Sequence, residues 1–285
     1  MSLKGVELRL DQAKLSGLTT MRIGGLVRRF FVVHSLEDLA GLLIECGNDF
    51  YLLGGGSNLL VKDCVIEKPV VTLGREFSYV KDDSGLLEIG AATHWPEVVK
   101  YCVKNSLGGL EELVGIPAQV GGMIAMNSSA SGQEISGPLV EAEIVDSKGQ
   151  LIRLKKSGLG FGYRTSSLKQ SIVARAWFKL EKKAGIREAV MARVKKRFEN
   201  QDFSFPSCGC IFKNPQETSA GKLIDDCGFK GVCKGGAKVS TKHANFIINI
   251  GKAKYDDVDY LIQTIKEKVF SKYGLLLEEE IKRWE

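Results

Sequence analysis

Residues 51–63 read Tyr51-Leu52-Leu53-Gly54-Gly55-Gly56-Ser57-Asn58-Leu59-Leu60-Val61-Lys62-Asp63. An apolar run delivers three consecutive glycines, a Ser-Asn pair follows, and a second apolar run leads into charge: a strand, a tight backbone turn and an exit. Three glycines cost backbone entropy that a hairpin does not require, because one residue at positive φ is normally enough. Something must therefore approach this backbone closely. A row of bare N–H groups can fold into a concave nest for an anion such as a pyrophosphate, with Ser57 and Asn58 donating at its edge. A mobile loop between two strands is the alternative that the run alone leaves open. The stretch is neither a Walker A loop, which needs Gly-Lys-Ser/Thr opening a helix, nor the GxGxxG dinucleotide fingerprint.

Upstream, 19–34 predicts an approach loop and a strand over Arg28–His34, with Gly24-Gly25 at its start. A helix should follow. Ser35 can cap it, Asp38 sits three residues on, Leu36, Leu39, Ala40, Leu43 and Ile44 recur at helical spacing, and Gly47-Asn48 stops it. Residues 28–61 thus read as strand, helix, strand, ending at the glycine turn, and ligands gather at such strand ends.

Downstream, strands are expected at Val70–Leu73, at Leu86–Ile89 and over Leu139–Leu154, the last broken by a turn at Ser147-Lys148-Gly149. One helix interrupts them, opened by Pro96, with Val98, Val99, Cys102 and Val103 on its apolar face. Glycines return in 108–132, GGLEELVGIPAQVGGMIAMNSSASG, which reads as a packed, irregular loop lining a ligand. Residues 181–202 predict a basic amphipathic linking helix with Ile186, Val190, Val194 and Phe198 at four-residue spacing. Beyond Pro206 come FPSCGCIFKNP, a short helix Ala220–Cys227, a glycine-rich turn GVCKGGAK, a strand Asn245–Ile250, and a longer helix capped by Asp256. That helix turns Val258, Leu261, Ile262, Ile265 and Val269 inward, and the tail LLLEEEIKRW forms a last strand.

Composition narrows the class. The chain has 285 residues, 44% hydrophobic and 26% charged, enough for a substantial core in two or three domains. No apolar stretch approaches the roughly 20 residues that cross a bilayer, and MSLKGVELRL lacks the apolar block of a signal peptide, so the cytoplasm is the expected compartment. Seven cysteines without framework spacing fit reduced thiols, and Cys208-Gly209-Cys210 has no second Cys/His pair at zinc-site spacing. A net charge of +6, spread along the chain, fits an anionic small ligand as well as it fits nucleic acid, and the basic stretch 181–202 lacks the interleaved aromatics of a nucleic-acid groove.

Five stretches in order, GGGSNLLV, GLEELVGIPAQVGG with Asn127 after it, GFGYRTSSLK, SCGCIFKNP with AGKLID, and KHANFIIN with the terminal LEEEIK, resemble the UDP-N-acetylenolpyruvoylglucosamine reductases of peptidoglycan synthesis. The resemblance runs from about Thr19 to Ile281. It implies an α+β flavoprotein of the vanillyl-alcohol oxidase/p-cresol methylhydroxylase type. Two FAD-binding subdomains would fill 1–68 and 69–184, a linking helix 185–202, and a substrate-binding domain 203–285. The implied cofactors are FAD and NADPH. The implied partner is a UDP-sugar substrate, with no nucleic acid, no membrane and no obligate protein partner.

By the same resemblance, Leu53, Gly54, Gly55, Gly56, Ser57, Asn58 and Leu59 would hold the FAD pyrophosphate, and Gly115, Ile116, Pro117 and Gly122 would line the flavin. Arg164 would clamp the substrate carboxylate, Glu280 would donate a hydrogen bond from its protonated form, with Glu278 as the register alternative, and Lys213 and Asn214 would hold substrate anions. Cys210 departs from the commoner serine as proton donor, and a thiol is the better acid. Gly115-Ile116-Pro117-Ala118 and 127–132 also depart from the usual flavin-loop residues. The short span after Lys213 points to the compact subtype, without a capping tyrosine loop. A flavin oxidase of the same superfamily and a non-catalytic flavin-binding module are the competing readings.

Overall fold

In a computed structural model the described residues are 6–9, 13–47, 49–83, 85–168 and 171–285; Asn48 of the expected helix stop and Lys169 of the GFGYRTSSLK stretch lie outside them. Cα packing groups the chain into two compact units: 6–9, 29–55 and 68–195 in one, and 13–28, 56–67 and 196–285 in the other. Residues 13–28 and 56–67, upstream of the expected boundary at 68, therefore pack with the C-terminal part of the chain.

The first unit holds two sheets. In one, Phe30–Val33 lies parallel to Val70–Leu73, which lies parallel to Tyr51–Leu52, and Val6–Arg9 adds an antiparallel edge. The helix Leu36–Cys46 makes the crossover. Its cap is the expected one, with the Ser35 hydroxyl accepting the Asp38 N–H at 3.0 Å. Leu39, Leu42 and Leu43 bury against Val33 and Val71. Ile44, expected inward, is 68% exposed, and Leu42 takes its place because about 100° per residue puts Leu42 about 60° from Leu39 around the helix and Ile44 about 140° from it.

The other sheet is antiparallel, in the order Leu151–Lys155, Leu139–Val145, Ile172–Phe178, Leu86–Gly90, Val80–Asp83. The turn between the first two is the expected one: Asp146 Oδ1 accepts from the N–H groups of Lys148 and Gln150. Alternation splits the sheet's faces. Ile89, Ala142, Ala176 and Phe178 join a core with Trp95, Val98 and Cys102 of the helix Trp95–Lys104, which Pro96 opens as expected.

Arg175, on the opposite face, bonds Glu143 (2.7 Å) and Glu88 (3.3 Å), and Glu88 also receives the Tyr79 hydroxyl (2.7 Å) and Lys81 (3.1 Å). Burial pushes the Glu88 carboxyl up, but these donors outweigh it and hold it below the ordinary carboxylate range. Its stabilisation is thus complete above that range and is lost as pH falls through it. Arg175→Met leaves two largely buried carboxylates short of their cation. It is expected to cost about 2–3 kcal/mol at pH 7, below the range for a fully buried pair. Urea unfolding at pH 7 and pH 3.5 checks this, with the gap between variant and wild type shrinking at the lower pH.

Residues 108–132 are more regular than the sequence suggested. They carry a short helix Val120–Ala125 and a small hairpin of Ser129–Ala130 with Gln133–Glu134. Gly121 explains the helix: a Cβ there would stand 3.0 Å from the Ala91 Cβ, so glycine permits close packing, and burial of Val120, Met123 and Ile124 offsets its poor propensity. The linking helix also differs. It spans Ile186–Asn200, while Glu181–Lys182 pair with Leu107–Gly108. Only Ile186 is buried and Phe198 is 58% exposed, because four-residue spacing drifts about 40° per step around the helix and spreads the expected stripe over too wide an arc.

The second unit is built on an antiparallel sheet ordered Ser207–Cys210, Phe246–Asn249, Ala237–Val239, Cys233–Lys234. The GVCKGGAK stretch is therefore a hairpin as well as a turn. Helix Tyr255–Tyr273 buries Val258, Leu261, Ile262, Ile265 and Val269 as expected, together with Met21, Ile23, Leu60 and Phe212. Asp256 is not its cap. The helix starts two residues earlier, at Tyr255, and Asp63 Oδ2 accepts the Tyr255 N–H (2.7 Å) while Asp257 Oδ2 accepts that of Lys254 (3.0 Å). The tail strand is Lys282–Trp284, parallel to Leu59–Val61. That pairing draws the second half of the glycine stretch into this unit.

Candidate active site

Of the three central glycines only Gly56 has positive φ, at 63°. A Cβ there would meet Leu18 O at 2.2 Å and Thr19 Cα at 2.9 Å, and its carbonyl accepts the Thr20 N–H at 3.1 Å. Gly55 lies on a different segment: its Cβ would meet Gln119 N at 3.2 Å and Ala118 Cα at 3.3 Å. The close approach inferred from the glycine run is thus made, at these two positions, by the chain's own backbone. Gly54 is roomier, with only Gln119 Oε1 at 3.5 Å. Gly122 has open space, with nothing within 4 Å of a Cβ. Gly115, in the left-handed region, and Pro117 are exposed, whereas Leu53 is buried and bonded to Val71 O, and Ile116 packs on the core. The first unit therefore brings Gly54-Gly55 against Pro117–Gln119, two stretches far apart in sequence, and leaves bare backbone beside both.

Arg164 stands in the same unit on a two-residue turn closed by reciprocal Gly162–Thr165 bonds, with φ of 55°. A left-handed arginine costs about 1–2 kcal/mol, and such strain concentrates at functional positions. The turn is strapped to the flavin-loop stretch: Asn127, itself buried at positive φ, donates to Gly162 O (3.1 Å), Ser166 to Ala125 O (2.7 Å), and Arg164 Nη1 to Ser129 O (3.0 Å).

In the second unit, Gly209 at positive φ puts an irregularity between Ser207 and Cys210. This separates the two cysteines. Cys208 is 2% exposed and burial pushes its thiol up to about 12, whereas Cys210 is half-buried. Residues 211–213 are held on both sides. Asn245 takes the Phe212 N–H (2.9 Å) and returns its own to Phe212 O (2.8 Å). On the other side, the Glu280 N–H bonds Ile211 O (2.8 Å) and the Lys213 N–H bonds Glu278 O (2.9 Å). Ile211, next after Cys210 in the chain, and the backbone of Glu280 are thus direct neighbours.

The register of the three glutamates follows. Glu278 pairs with Lys213, and Glu279 with Lys266 and with Arg283 (2.7 Å). Burial pushes the Glu279 carboxyl up, but those two cations hold it net below its ordinary range. Arg283 in turn binds Asp259 (2.6 Å) and Tyr255 (2.8 Å). Asn58 ties the glycine stretch to this tail, donating to Glu280 O at 3.0 Å, and its own carbonyl accepts the Lys282 N–H. Leu59 is half-buried in the strand that follows, and Ser57 is half-buried beside it. Asn214, expected on substrate, spends its oxygen on the Ala220 N–H (3.0 Å) at the start of the short helix. Sequence reading gave Asn245 no role and took Asn127 only as part of a motif. Their signal was present, a polar residue inside an apolar stretch for the first and a residue next to glycine-rich motifs for the second, but nothing in it named the partner. Among the described residues no three His, Cys, Asp or Glu side chains gather as a metal site, and no helix is long and apolar enough to cross a membrane.

Two family profiles match: residues 10–155 the FAD binding domain, and 198–284 the C-terminal domain of UDP-N-acetylenolpyruvoylglucosamine reductase. The chain is similar to the UDP-N-acetylenolpyruvoylglucosamine reductases of Thermotoga petrophila, 40% identical over 95% of this chain and 97% of that one, and of Fervidobacterium nodosum, 37% identical over 98% and 93%. Among solved structures, the UDP-N-acetylenolpyruvylglucosamine reductase of Thermus caldophilus superposes with a TM-score of 0.86 at 35% identity, covering 98% of this chain and all of that one.

Proposed function

The chain belongs to the UDP-N-acetylenolpyruvoylglucosamine reductase family, and from that premise we propose how its own residues serve the reaction. It is an FAD-containing, NADPH-dependent oxidoreductase that reduces the enolpyruvyl group of UDP-N-acetylglucosamine-enolpyruvate to UDP-N-acetylmuramate in peptidoglycan precursor synthesis. The bare backbone at Gly54, Gly115 and Gly122 fits the cofactor, since a pyrophosphate and a flat ring both need main chain without side chains in the way. Leu53–Leu59 would hold the pyrophosphate and Gly115, Ile116, Pro117 and Gly122 the ring, with Leu53 and Ile116 acting from the core side.

Bound FAD, once reduced by NADPH, supplies the hydride that the terminal methylene carbon takes up. Negative charge then builds on the neighbouring carbon and its carboxylate. Arg164 holds that carboxylate with a planar fork that stays charged. Glu280, protonated, donates to the developing enediolate oxygen, and Cys210 delivers the proton that completes the new C–H bond. Lys213 and Asn214 hold anionic groups of the substrate from the same segment. The observation that best supports these roles is the pair of main-chain bonds joining 211–213 to 278–280, which places two motifs nearly 70 residues apart on one edge. A soluble UDP-sugar substrate and a cytoplasmic location, with no nucleic acid or obligate protein partner, complete the reading.

Anaerobic spectroscopy tests it. NADPH should bleach the bound flavin, and adding the enolpyruvyl sugar nucleotide should restore its colour; flavin that stays reduced would overturn the assignment. Two glycine variants probe the cradle. Gly122→Ala meets open space and is expected to leave apoprotein melting unchanged while weakening flavin binding about tenfold. Gly56→Ala, at positive φ and against the Leu18 carbonyl, is expected to destabilise the fold by about 3 kcal/mol. Thermal melts with flavin fluorescence titration read both.

A further inference from the structure

In the second unit, the pairing of Ser207–Cys210 with Phe246–Asn249 stops at Cys210, which lies opposite Phe246. One more backbone bond follows, from the Ile211 N–H to Asn245 O (2.9 Å). Ahead of Phe246 the neighbouring chain turns away, its Phe246 N–H closing on His243 O (2.9 Å). Strand pairing therefore gives out just where Phe212 needs it. On its other side Phe212 lies opposite Glu279, but the bonds between these two segments run from the Lys213 N–H to Glu278 O (2.9 Å) and from the Glu280 N–H to Ile211 O (2.8 Å). In such a pair the two opposed residues turn their own N–H and C=O groups away from each other. Phe212, 1% exposed, thus presents a buried donor and a buried acceptor towards a place that the strand has left.

The Asn245 side chain fills that place. It is 2% exposed, its Oδ1 accepts the Phe212 N–H (2.9 Å) and its Nδ2 donates to Phe212 O (2.8 Å). A carboxamide carries the donor and the acceptor of a peptide group, so this side chain does the work of one further strand residue. Aspartate would lack the donor, and leucine both. The main chain of Glu280 is then held at each end: its N–H by Ile211 O, and its carbonyl by Asn58 Nδ2 at 3.0 Å.

We infer that Asn245 is a positioning residue for Cys210 and Glu280: by standing in for the missing strand it fixes 211–213, and through them the register of the tail that carries Glu280. The inference rests on the proposed roles of Cys210 and Glu280 and adds what holds the two segments in common register. The thiol has to meet a carbon and the carboxyl an oxygen of the same small group, so a slip of about 1 Å between the segments is enough to cost about 10²-fold. Asn245 spends its oxygen and an amide hydrogen on Phe212, so its part is to place other groups and not to touch the substrate.

Amide hydrogen–deuterium exchange of the holoenzyme reads this hold without turnover. Asn245→Asp keeps the size and the acceptor and removes the donor to Phe212 O. Exchange in 210–213 and in 278–281 should rise about tenfold, while the N–H groups of Gly231 and Ile250, bonded to Val239 O and Gly236 O elsewhere in the sheet, exchange as in wild type. In stopped flow, reoxidation of the reduced flavin by the enolpyruvyl substrate should fall about ten- to a hundredfold, with NADPH-driven reduction within about twofold of wild type. Unchanged exchange in 278–281 overturns the inference, as does equal loss in both half-reactions or faster exchange with unchanged reoxidation. If Asn245→Asp does not fold with flavin bound, Asn245→Ser, uncharged and too short to span both Phe212 groups, is read by the same criteria, and failure of both to fold marks a residue of the fold alone and overturns it too. Exchange does not depend on the chemistry, so faster exchange in both segments, in a protein whose wild type the substrate fails to reoxidise, would overturn the proposed function and leave the hold of Asn245 on the two segments standing.

Discussion

Cys210→Ala is expected to lower steady-state turnover by about 10³-fold while leaving NADPH-driven flavin reduction within about twofold of wild type. The asymmetry follows from where the proton is used: the first half-reaction moves a hydride between two nucleotides and needs no acid from this chain, whereas the second must quench a carbanion. A positioned general acid contributes on the order of 10²–10⁴, and alanine at a half-buried strand position removes it without a cavity large enough to disturb the sheet. Stopped-flow absorbance of the two half-reactions separates the outcomes, and equal loss in both would argue that the substitution damages the cofactor site instead. Cys210→Ser should retain measurable turnover. Its complete inactivity would show that the surroundings are tuned to sulfur.

Glu280→Ala is expected to cost about 10²–10³-fold in kcat, the size of effect seen when one donor to a developing oxyanion is removed. Glu278→Ala should stay within a few-fold, because that carboxylate is engaged with Lys213 on a more exposed side of the chain. Glu279→Ala should behave differently again. It strips Arg283 and Lys266 of a shared carboxylate and is expected to lower stability more than catalysis. The sign with pH is set by the lowered carboxyl of Glu279: its contribution is complete above the ordinary carboxylate range and is lost as pH falls through the folded value. The stability gap between wild type and Glu279→Ala should therefore narrow in acid. Full kinetics of the three alanine variants decide the register, and a larger kcat loss at Glu278 than at Glu280 would reverse it.

Much of this enzyme could be read locally. The Ser35 cap, the Pro96 helix start, the Asp146 turn and the inward stripe of the last helix are decided within a few residues of chain, by side chains that satisfy neighbouring N–H groups or by apolar spacing that matches 3.6 residues per turn. Where local reading failed, either a distant contact had outweighed propensity or the spacing did not match the helical repeat. Gly121 would count against a helix if Ala91 did not pack against it. Phe198 looks like part of an apolar stripe until the drift of its spacing places it in solvent.

The motifs of the site divide the same way. Which residue types would do the chemistry, a glycine cradle, a guanidinium, a thiol and a carboxyl, was legible because each function tolerates few side chains. Their company was not. That Gly55 rests on Ala118 and Gln119, that Asn58 holds the Glu280 carbonyl and that Glu278 is bound to Lys213 all depend on pairing between segments about 60 to more than 200 residues apart. A short-range pattern carries no information about such pairings, because any of several polar side chains could satisfy the same donor until the backbone has chosen one.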